Sequence, residues 1–535
     1  MTAPRIEAHG WSLRSVDVFA QSWREHGWWC DETAGDVARR LAQAEPDRIV
    51  VIDGQVRVSG AHLYRDAEHI AQHLLARGIG PGKVLSFMLP NWHEAAAIYL
   101  AATLAGAVAH PIVPQLRDRE VAFMLADSGS RILFVPADFR GFDYGAMMDR
   151  VNASLAQPIE TVVLRGDPAG HTAFSALLEA SPSPKPLPCV DPDSVKMLMY
   201  TSGTTGRPKG VLHSHNSLHA LIRQIERHWH VAPGDRFIVP SPISHIGGSI
   251  YAFEMPLLCG TSAVLQAQWD AEGAARLIDA ERCTHMAGAT PFLDGLLGAA
   301  QASGTRLPSL KVFICGGASV PPALIRRAQQ TFAKAAVSRV YGSTEVPVLT
   351  VGALETGEED KAAETDGRIG IAEVRLDQGE VTARGAQMLR GYLHAVDEAD
   401  AFTSGGYFRM GDLAREEPGG YLVVTGRAKD IIIRNGENIA PKEIEDLLLD
   451  HPAIADIAIV GVPDARTGER ACAIIVPAGD EEPDCAVLAN FLGERGIAKF
   501  KWPEQVVLRD ELPRNAAGKV LKHVLQAQLG GNLKP

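Results

Sequence analysis

The chain has 535 residues, 46% hydrophobic and 22% charged, which is too long for a single core and ordinary for a soluble globular protein, so two or more domains are expected. Its 52 Lys and Arg against 64 Asp and Glu leave a net charge of −12, which argues against nonspecific binding to nucleic acid or anionic membranes. Seven cysteines without Cys-x-x-Cys spacing indicate neither a disulfide framework nor a zinc site. Residues 1–7 lack an apolar signal core, so a cytoplasmic location is expected.

In chain order, the aromatic-rich segment 23–29 reads as a surface segment packed onto the body. Residues 33–44 and 63–77 read as helices flanking a hairpin of 48–53 and 56–59, and Gly78-Ile79-Gly80-Pro81-Gly82 ends the second helix. A buried strand at 84–89, a helix at 92–104 and a strand near 107–112 follow. The nearly uncharged stretch 95–114 is Ala-rich and broken by His110, Pro111 and Pro114, so it reads as a buried helix running into a strand, not a membrane span. Strands alternating with helices at this spacing imply a parallel sheet covered on both faces. Residues 182–188 (Pro-Ser-Pro-Lys-Pro-Leu-Pro) read as a stiff linker.

The apolar run 195–200 reads as a strand that ends in Thr201-Ser202-Gly203-Thr204-Thr205-Gly206-Arg207-Pro208-Lys209-Gly210. Gly203 and Gly206 permit backbone angles that turn successive N–H groups toward one anion. Thr201, Ser202, Thr204 and Thr205 add hydroxyl donors, and Lys209 adds a charge. The result is a polyphosphate cradle. It is not a Walker A loop, because Gly-x4-Gly-Lys-[Ser/Thr] has no match here.

Beyond it, 217–229 reads as an amphipathic helix and 237–240 as a short strand before Ile243-Ser244-His245-Ile246-Gly247-Gly248. A buried strand at 310–314 runs into Cys315-Gly316-Gly317-Ala318-Ser319, where small residues let a flat ring lie against backbone. A strand at 337–341 ends in Tyr341-Gly342-Ser343-Thr344-Glu345. Short strands within 364–376 and 379–392 suggest a small β-rich subdomain. From residue 431 the pattern restarts with a helix at 442–450, a strand at 454–462 and further elements at 471–476, 485–495 and 505–508. About a hundred residues of mixed α and β make a small second domain.

Tyr200-Thr201-Ser202-Gly203-Thr204-Thr205-Gly206-x-Pro208-Lys209-Gly210 resembles the phosphate-loop signature of the adenylate-forming superfamily, whose members join a carboxylate to ATP as an acyl-AMP and pass the acyl group to an acceptor, usually a thiol. The later motifs extend the resemblance to residue 519. It implies nucleotide contacts at Thr201 to Gly206, Lys209, Gly317, Ala318, Ser319, Gly342 and Ser343, with Tyr341 stacked on adenine. Thr344 would meet the α-phosphate, and Glu345 would hold Mg²⁺. Tyr407-Phe408-Arg409-Met410-Gly411-Asp412-Leu413 is similar to the ribose motif, with Phe408 and Met410 departing from it; Asp412 would accept from ribose hydroxyls and Arg427 would touch ribose or phosphate. Lys429 takes the hinge position. His245 would stand between the acyl pocket, with Ile246 and Gly317, and the thiol's channel at Gly436. Pro513-Arg514-Asn515-Ala516-Ala517-Gly518-Lys519 matches the motif of the catalytic lysine, so that role is carried onto Lys519.

The resemblance implies an α/β fold: a large N-terminal domain, 1–428, of parallel-rich sheets covered by helices with a small β-rich subdomain, and a small mobile α+β C-terminal domain, 429–535. The expected enzyme is an AMP-forming carboxylate–CoA ligase using ATP, Mg²⁺ and coenzyme A, within fatty acid metabolism, with no nucleic-acid partner and no integral membrane segment; a homodimer is compatible with it. The expected substrate is an apolar medium-chain, alicyclic or aromatic acid. Two alternatives stay open: an aryl-acid activator that loads a carrier protein's pantetheine arm, and a catalytically silent nucleotide-binding relative. Ile246 stands where aryl hydroxy-acid activators carry Asn, which weakens a salicylate-like substrate.

Overall fold

The strands of the body are runs of Val, Ile, Leu and Phe buried on both faces, the pattern of parallel sheets covered by helices. The computed structural model describes residues 5–179, 184–201, 207–317, 320–434, 437–464, 466–479, 481–514 and 518–530. One eight-stranded sheet runs in the order Thr172–Ala173, Glu160–Leu164, Ile132–Pro136, Val84–Phe87, Val108–Pro111, Val195–Thr201, Lys209–Ser214, Gly391–Tyr392. Its first six strands are parallel and the last two close it antiparallel. A seven-stranded sheet runs Ala336–Val340, Val312–Gly316, His285–Gly288, Arg236–Val239, Ser262–Leu265, Ile49–Asp53, Val56–Ser59, parallel except for its final hairpin.

Between these sheets the helices Gly60–Ala76, His93–Ala105 and His215–His228 share one core with strands from both. His93–Ala105 is apolar on every side because every residue from Ala95 to Ala105 is buried, and it stops at Gly106 with φ 69°. Ser214 opens the third helix by accepting from the Ser217 N–H. A four-stranded antiparallel sheet (Glu373–Asp377, Glu380–Arg384, Phe408–Glu417, Tyr421–Arg427) forms the β-rich flank. The C-terminal sheet combines Glu437–Ile439, Ile432–Arg434, Gly468–Pro477, Ile454–Asp464 and Gln505–Leu508, the last pairing in parallel.

The expected class therefore holds, with local corrections. Within 364–376 the first element is the end of a helix, Glu359–Glu364, and the strand begins only at Glu373. The helix expected at 217–229 starts two residues earlier, because Ser214 supplies its cap. The 23–29 segment does pack onto the body: Trp29 is buried beside Ala220 and Ala386, and its Nε1–H donates to the Ala386 carbonyl at 3.0 Å. Residues 182 and 183 of the proline-rich linker lie outside the described residues. No helix among the described residues is long and apolar enough to cross a membrane.

Candidate active site

The hairpin that carries the expected phosphate loop is built from the strands Val195–Thr201 and Lys209–Ser214, with Thr201 facing Lys209 across the ladder. The intervening Ser202, Gly203, Thr204, Thr205 and Gly206 lie outside the described residues. Gly210 packs closely, since a Cβ there would stand 2.8 Å from Leu198 Cδ1 and 3.0 Å from Leu393 Cβ. Lys209 is half-buried. Its Nζ donates to the Asp397 carbonyl at 3.3 Å and sits 5.2 Å from the Tyr392 ring centre.

The parallel pair Val312–Gly316 and Ala336–Val340 delivers the next two motifs side by side. A Cβ on Gly316 would lie 2.7 Å from the Val340 carbonyl oxygen, and Gly317 adopts φ +84°, so both positions need glycine. Ala318 and Ser319 lie outside the described residues. Tyr341 donates its hydroxyl to Asp412 Oδ2 at 2.7 Å, while its N–H donates to Thr350 Oγ1 at 2.7 Å. Burial and the Asp412 carboxylate push the Tyr341 phenol well above its usual range, so it stays a donor.

At Gly342 the chain turns so tightly that a Cβ would meet the Val348 nitrogen at 2.7 Å. The Ser343 N–H donates to the Val346 carbonyl at 3.1 Å, and the Val346 N–H donates to Ser343 Oγ at 3.2 Å. Val348 is left at φ +47°, a left-handed conformation costly for a β-branched side chain, on the order of 1–3 kcal/mol. Such strain persists only where the surroundings impose it.

Three contacts that the motifs do not announce fix Thr344 and Glu345. His213 Nε2 lies 2.8 Å from the Thr344 carbonyl, and burial pushes that imidazole's pKa down to about 4, so the neutral ring donates there. The Leu389 N–H donates to the Glu345 carbonyl at 2.8 Å, and Tyr392 donates its hydroxyl to Glu345 Oε1 at 3.0 Å.

Asp412 and Arg427 face each other across adjacent strands, with Arg427 Nε 3.1 Å from Asp412 Oδ1. Lys519 comes to the same place from the C-terminal loop. Burial, and secondarily the Arg427 charge, lower its pKa to about 8 against the pull of Asp412, Asp430 and Glu345. Its loop is shaped by Arg514, which donates to the Gly518 carbonyl at 2.6 Å and pairs with Asp456, and a Cβ on Gly518 would touch Pro291 at 3.8 Å. The structure thus brings Tyr341, Asp412, Arg427, Glu345 and Lys519 into one electrostatic neighbourhood.

His245 precedes the short helix Ile246–Ser249, and its Nε2 is buried with no hydrogen-bond partner among the described residues. Burial lowers its pKa, so the ring is neutral. Ile246 is half-buried against the main core, and a Cβ on Gly247 would meet open space. The turn before them is pinned by Asn91, whose side chain donates to the Val239 and Ser241 carbonyls at 2.9 Å each and accepts from the Ile243 N–H at 3.0 Å. Lys429 is exposed in the 3₁₀ turn Ala428–Asp430, and Gly436 lies outside the described residues. Elsewhere, Asp53, His93 and Glu94 present three potential metal ligands, but the Arg165 guanidinium lies 2.6, 3.1 and 2.7 Å from them. That cluster already has its cation.

Sequence reasoning did not single out Asn91, His213, Tyr392 or Asp397, because none stands in a recognisable spacing. The family model for AMP-binding enzymes matches residues 38–393, and that for the C-terminal domain of AMP-binding enzymes matches residues 443–519. A medium-chain fatty-acid–CoA ligase of Escherichia coli (strain K12) is 32% identical over 95% of this chain and 92% of its own length. An indoleacetate–CoA ligase of Aromatoleum aromaticum is 31% identical over 90% and 95% of the two chains. Among solved structures, ATP-bound MatB from Rhodopseudomonas palustris superposes with a TM-score of 0.83 at 26% identity, covering 94% of this chain and all of that one. Matched through most of its length by both family models, the chain belongs to the AMP-binding enzymes, as an AMP-forming acid–thiol ligase.

Proposed function

We propose that this enzyme activates an apolar medium-chain, alicyclic or aromatic acid with ATP and transfers the acyl group to coenzyme A. One observation carries the first half of that reading: Lys519, in the C-terminal part of the chain, is half-buried where the charges of Asp412, Arg427 and Glu345 act on it. A lysine whose ammonium is penalised by burial regains stability when an anion arrives.

In the first step a carboxylate oxygen of the acid attacks the α-phosphorus of ATP, the bond to the bridging oxygen breaks, and pyrophosphate leaves. Charge grows on the α-phosphate and the leaving group, and Lys519, Thr344 and Lys209 are the protein's preorganised answers to it. Asp412, already oriented by Tyr341 and Arg427, would accept from the ribose hydroxyls. Glu345 would hold Mg²⁺, and its chemistry fits, since the carboxylate has one oxygen engaged by Tyr392 and Mg²⁺ takes few protein oxygens beside phosphate. When bound, that ion would neutralise phosphate charge.

In the second step the CoA sulfur attacks the acyl carbonyl, the thiol proton is lost, and AMP departs. The neutral His245 would stand at the acyl side of that approach. We assign residues 1–428 to the ATP- and acyl-binding domain and 429–535 to a domain that swings about Lys429, bringing Gly436 to the site once Lys519 has withdrawn. The same reading puts the enzyme in the cytoplasm, beside ATP and CoA, and is compatible with a homodimer. Incubating the protein with ATP, Mg²⁺ and a panel of carboxylic acids, with and without CoA, tests it. AMP and an acyl-CoA should form with apolar acids; acyl-AMP that reaches only a carrier protein would favour the aryl-acid alternative, and absence of pyrophosphate exchange with every acid would favour the silent one.

A further inference from the structure

We propose that Asp397 is a positioning residue, holding Lys209 and Arg207 until the polyphosphate of ATP displaces it and recapturing them as pyrophosphate leaves. This rests on the reading of Lys209 as a polyphosphate contact. Asp397 lies in the 3₁₀ turn Ala395–Glu398, with its side chain 11% exposed. Its Oδ2 accepts from Arg207 at 3.1 Å, its Oδ1 lies 4.0 Å from Lys209 Nζ, and its carbonyl accepts from the same ammonium. One carboxylate therefore answers both cations that follow the phosphate loop.

The turn cannot drift, because its neighbours are anchored. Glu398 accepts from Arg14 at 3.1 Å and from the Tyr392 N–H at 3.0 Å, and it pairs with Arg5. His394 meets Asp127 Oδ1 at 2.8 Å, and the other oxygen of Asp127 accepts from the hydroxyl of Tyr200 on the opposite strand of the hairpin. Tyr392, under Lys209, reaches Glu345. A single segment, 392–398, thus ties the metal carboxylate and both flanks of the phosphate hairpin together.

A triphosphate carries more charge than one carboxylate and can take both cations from Asp397. Once the α–β bond is broken, the same carboxylate stands within reach to compete with pyrophosphate for them. Because the competition concerns the β- and γ-phosphates, it should leave AMP untouched.

The test is calorimetric titration of the full chain with magnesium pyrophosphate and, separately, with AMP. Asp397→Asn should bind pyrophosphate roughly three- to tenfold more tightly, as expected for removing one partly exposed competing charge, with AMP affinity unchanged. Asp397→Glu should return pyrophosphate affinity toward that of the native chain. Unchanged or weakened pyrophosphate binding in Asp397→Asn would overturn the proposal. So would parallel loss of AMP binding there and in a second variant, Asp397→Ser, which would assign the residue to the fold. Lys209→Ala separates the two readings: if it binds pyrophosphate normally, the polyphosphate role of Lys209 fails, whereas weaker binding in Lys209→Ala without tightening in Asp397→Asn sinks only the latch.

Discussion

Two lysines, Lys196 buried and Lys519 half-buried, show how differently one side chain can be used. Lys196, on the strand that leads to the phosphate loop, meets Glu254 at 2.5 Å with both side chains only 2% exposed, and Tyr99 donates its hydroxyl to the same carboxylate at 2.6 Å. That cluster closes on itself. Lys519 instead stands among Asp412, Asp430, Glu345 and Arg427, and burial outweighs the carboxylates enough to bring its pKa down to about 8. A charge matched by its own chain maintains the fold, whereas a charge that burial penalises is poised for an incoming anion.

The largest effect should come from breaking the closed pair. Lys196→Ala leaves Glu254 buried and uncompensated, which costs roughly 3–5 kcal/mol. Chemical unfolding of the purified variant measures it, and a loss below about 1 kcal/mol, the range of surface ion pairs, would mean that the pair is not the closed structural unit described.

At Lys519 the loss should fall on rate and leave stability alone. Lys519→Ala should slow acid-dependent pyrophosphate exchange by about 10²–10³, the usual effect of removing one preorganised countercharge. Its melting temperature should match that of the native chain. A marked fall in melting temperature would place this lysine in the same class as Lys196.

A smaller effect is expected at the acyl side. Ile246→Asn would put an amide beside the proposed acyl pocket, and an unpartnered amide costs roughly 1–3 kcal/mol. Apolar acids should lose kcat/KM while an ortho-hydroxylated acid loses less. An equal loss for both, or a shift confined to the KM for ATP, would move Ile246 out of the pocket.

The smallest effect sharpens the comparison through pH. With its pKa lowered from 10.5 to about 8, Lys519 is an ammonium below that value and neutral above it. The kcat/KM for ATP in the adenylation step, which reports the free enzyme, should therefore fall as pH rises through about 8, by roughly tenfold per further unit. Lys519→Arg keeps its charge at any such pH and should lose that descending limb whatever its absolute rate. An unaltered limb in Lys519→Arg would assign it to another group.

The site was legible wherever its chemistry sits in consecutive residues, as in Tyr341 to Glu345 and Asp412. The first follows the strand Ala336–Val340, which period and composition mark well, whereas Asp412 lies inside the strand Phe408–Glu417 and was marked by its motif alone. The supports were not legible, because each joins positions far apart in sequence. Tyr392 and Glu345 are 47 residues apart, Lys209 and Asp397 are 188, and Arg14 and Glu398 are 384. The N-terminal hairpin, Arg5–Ala8 with Trp11–Arg14, escaped notice for the same reason: strands of four residues carry little period, and Glu398 anchors them from the other end of the large domain. The π-helical turn Ile250–Glu254, which carries Glu254 to Lys196, also follows from packing and not from local pattern.

Lys519 is proposed to serve only the step in which charge accumulates on phosphate. The most direct test gives Lys519→Ala purified acyl-AMP and CoA, and follows thioester formation beside the native enzyme. Thioester should form at close to the native rate although acyl-AMP synthesis from acid and ATP has collapsed. If supplied acyl-AMP is consumed as poorly as acid plus ATP, the lysine serves both steps and the two-faced use of the C-terminal domain is wrong.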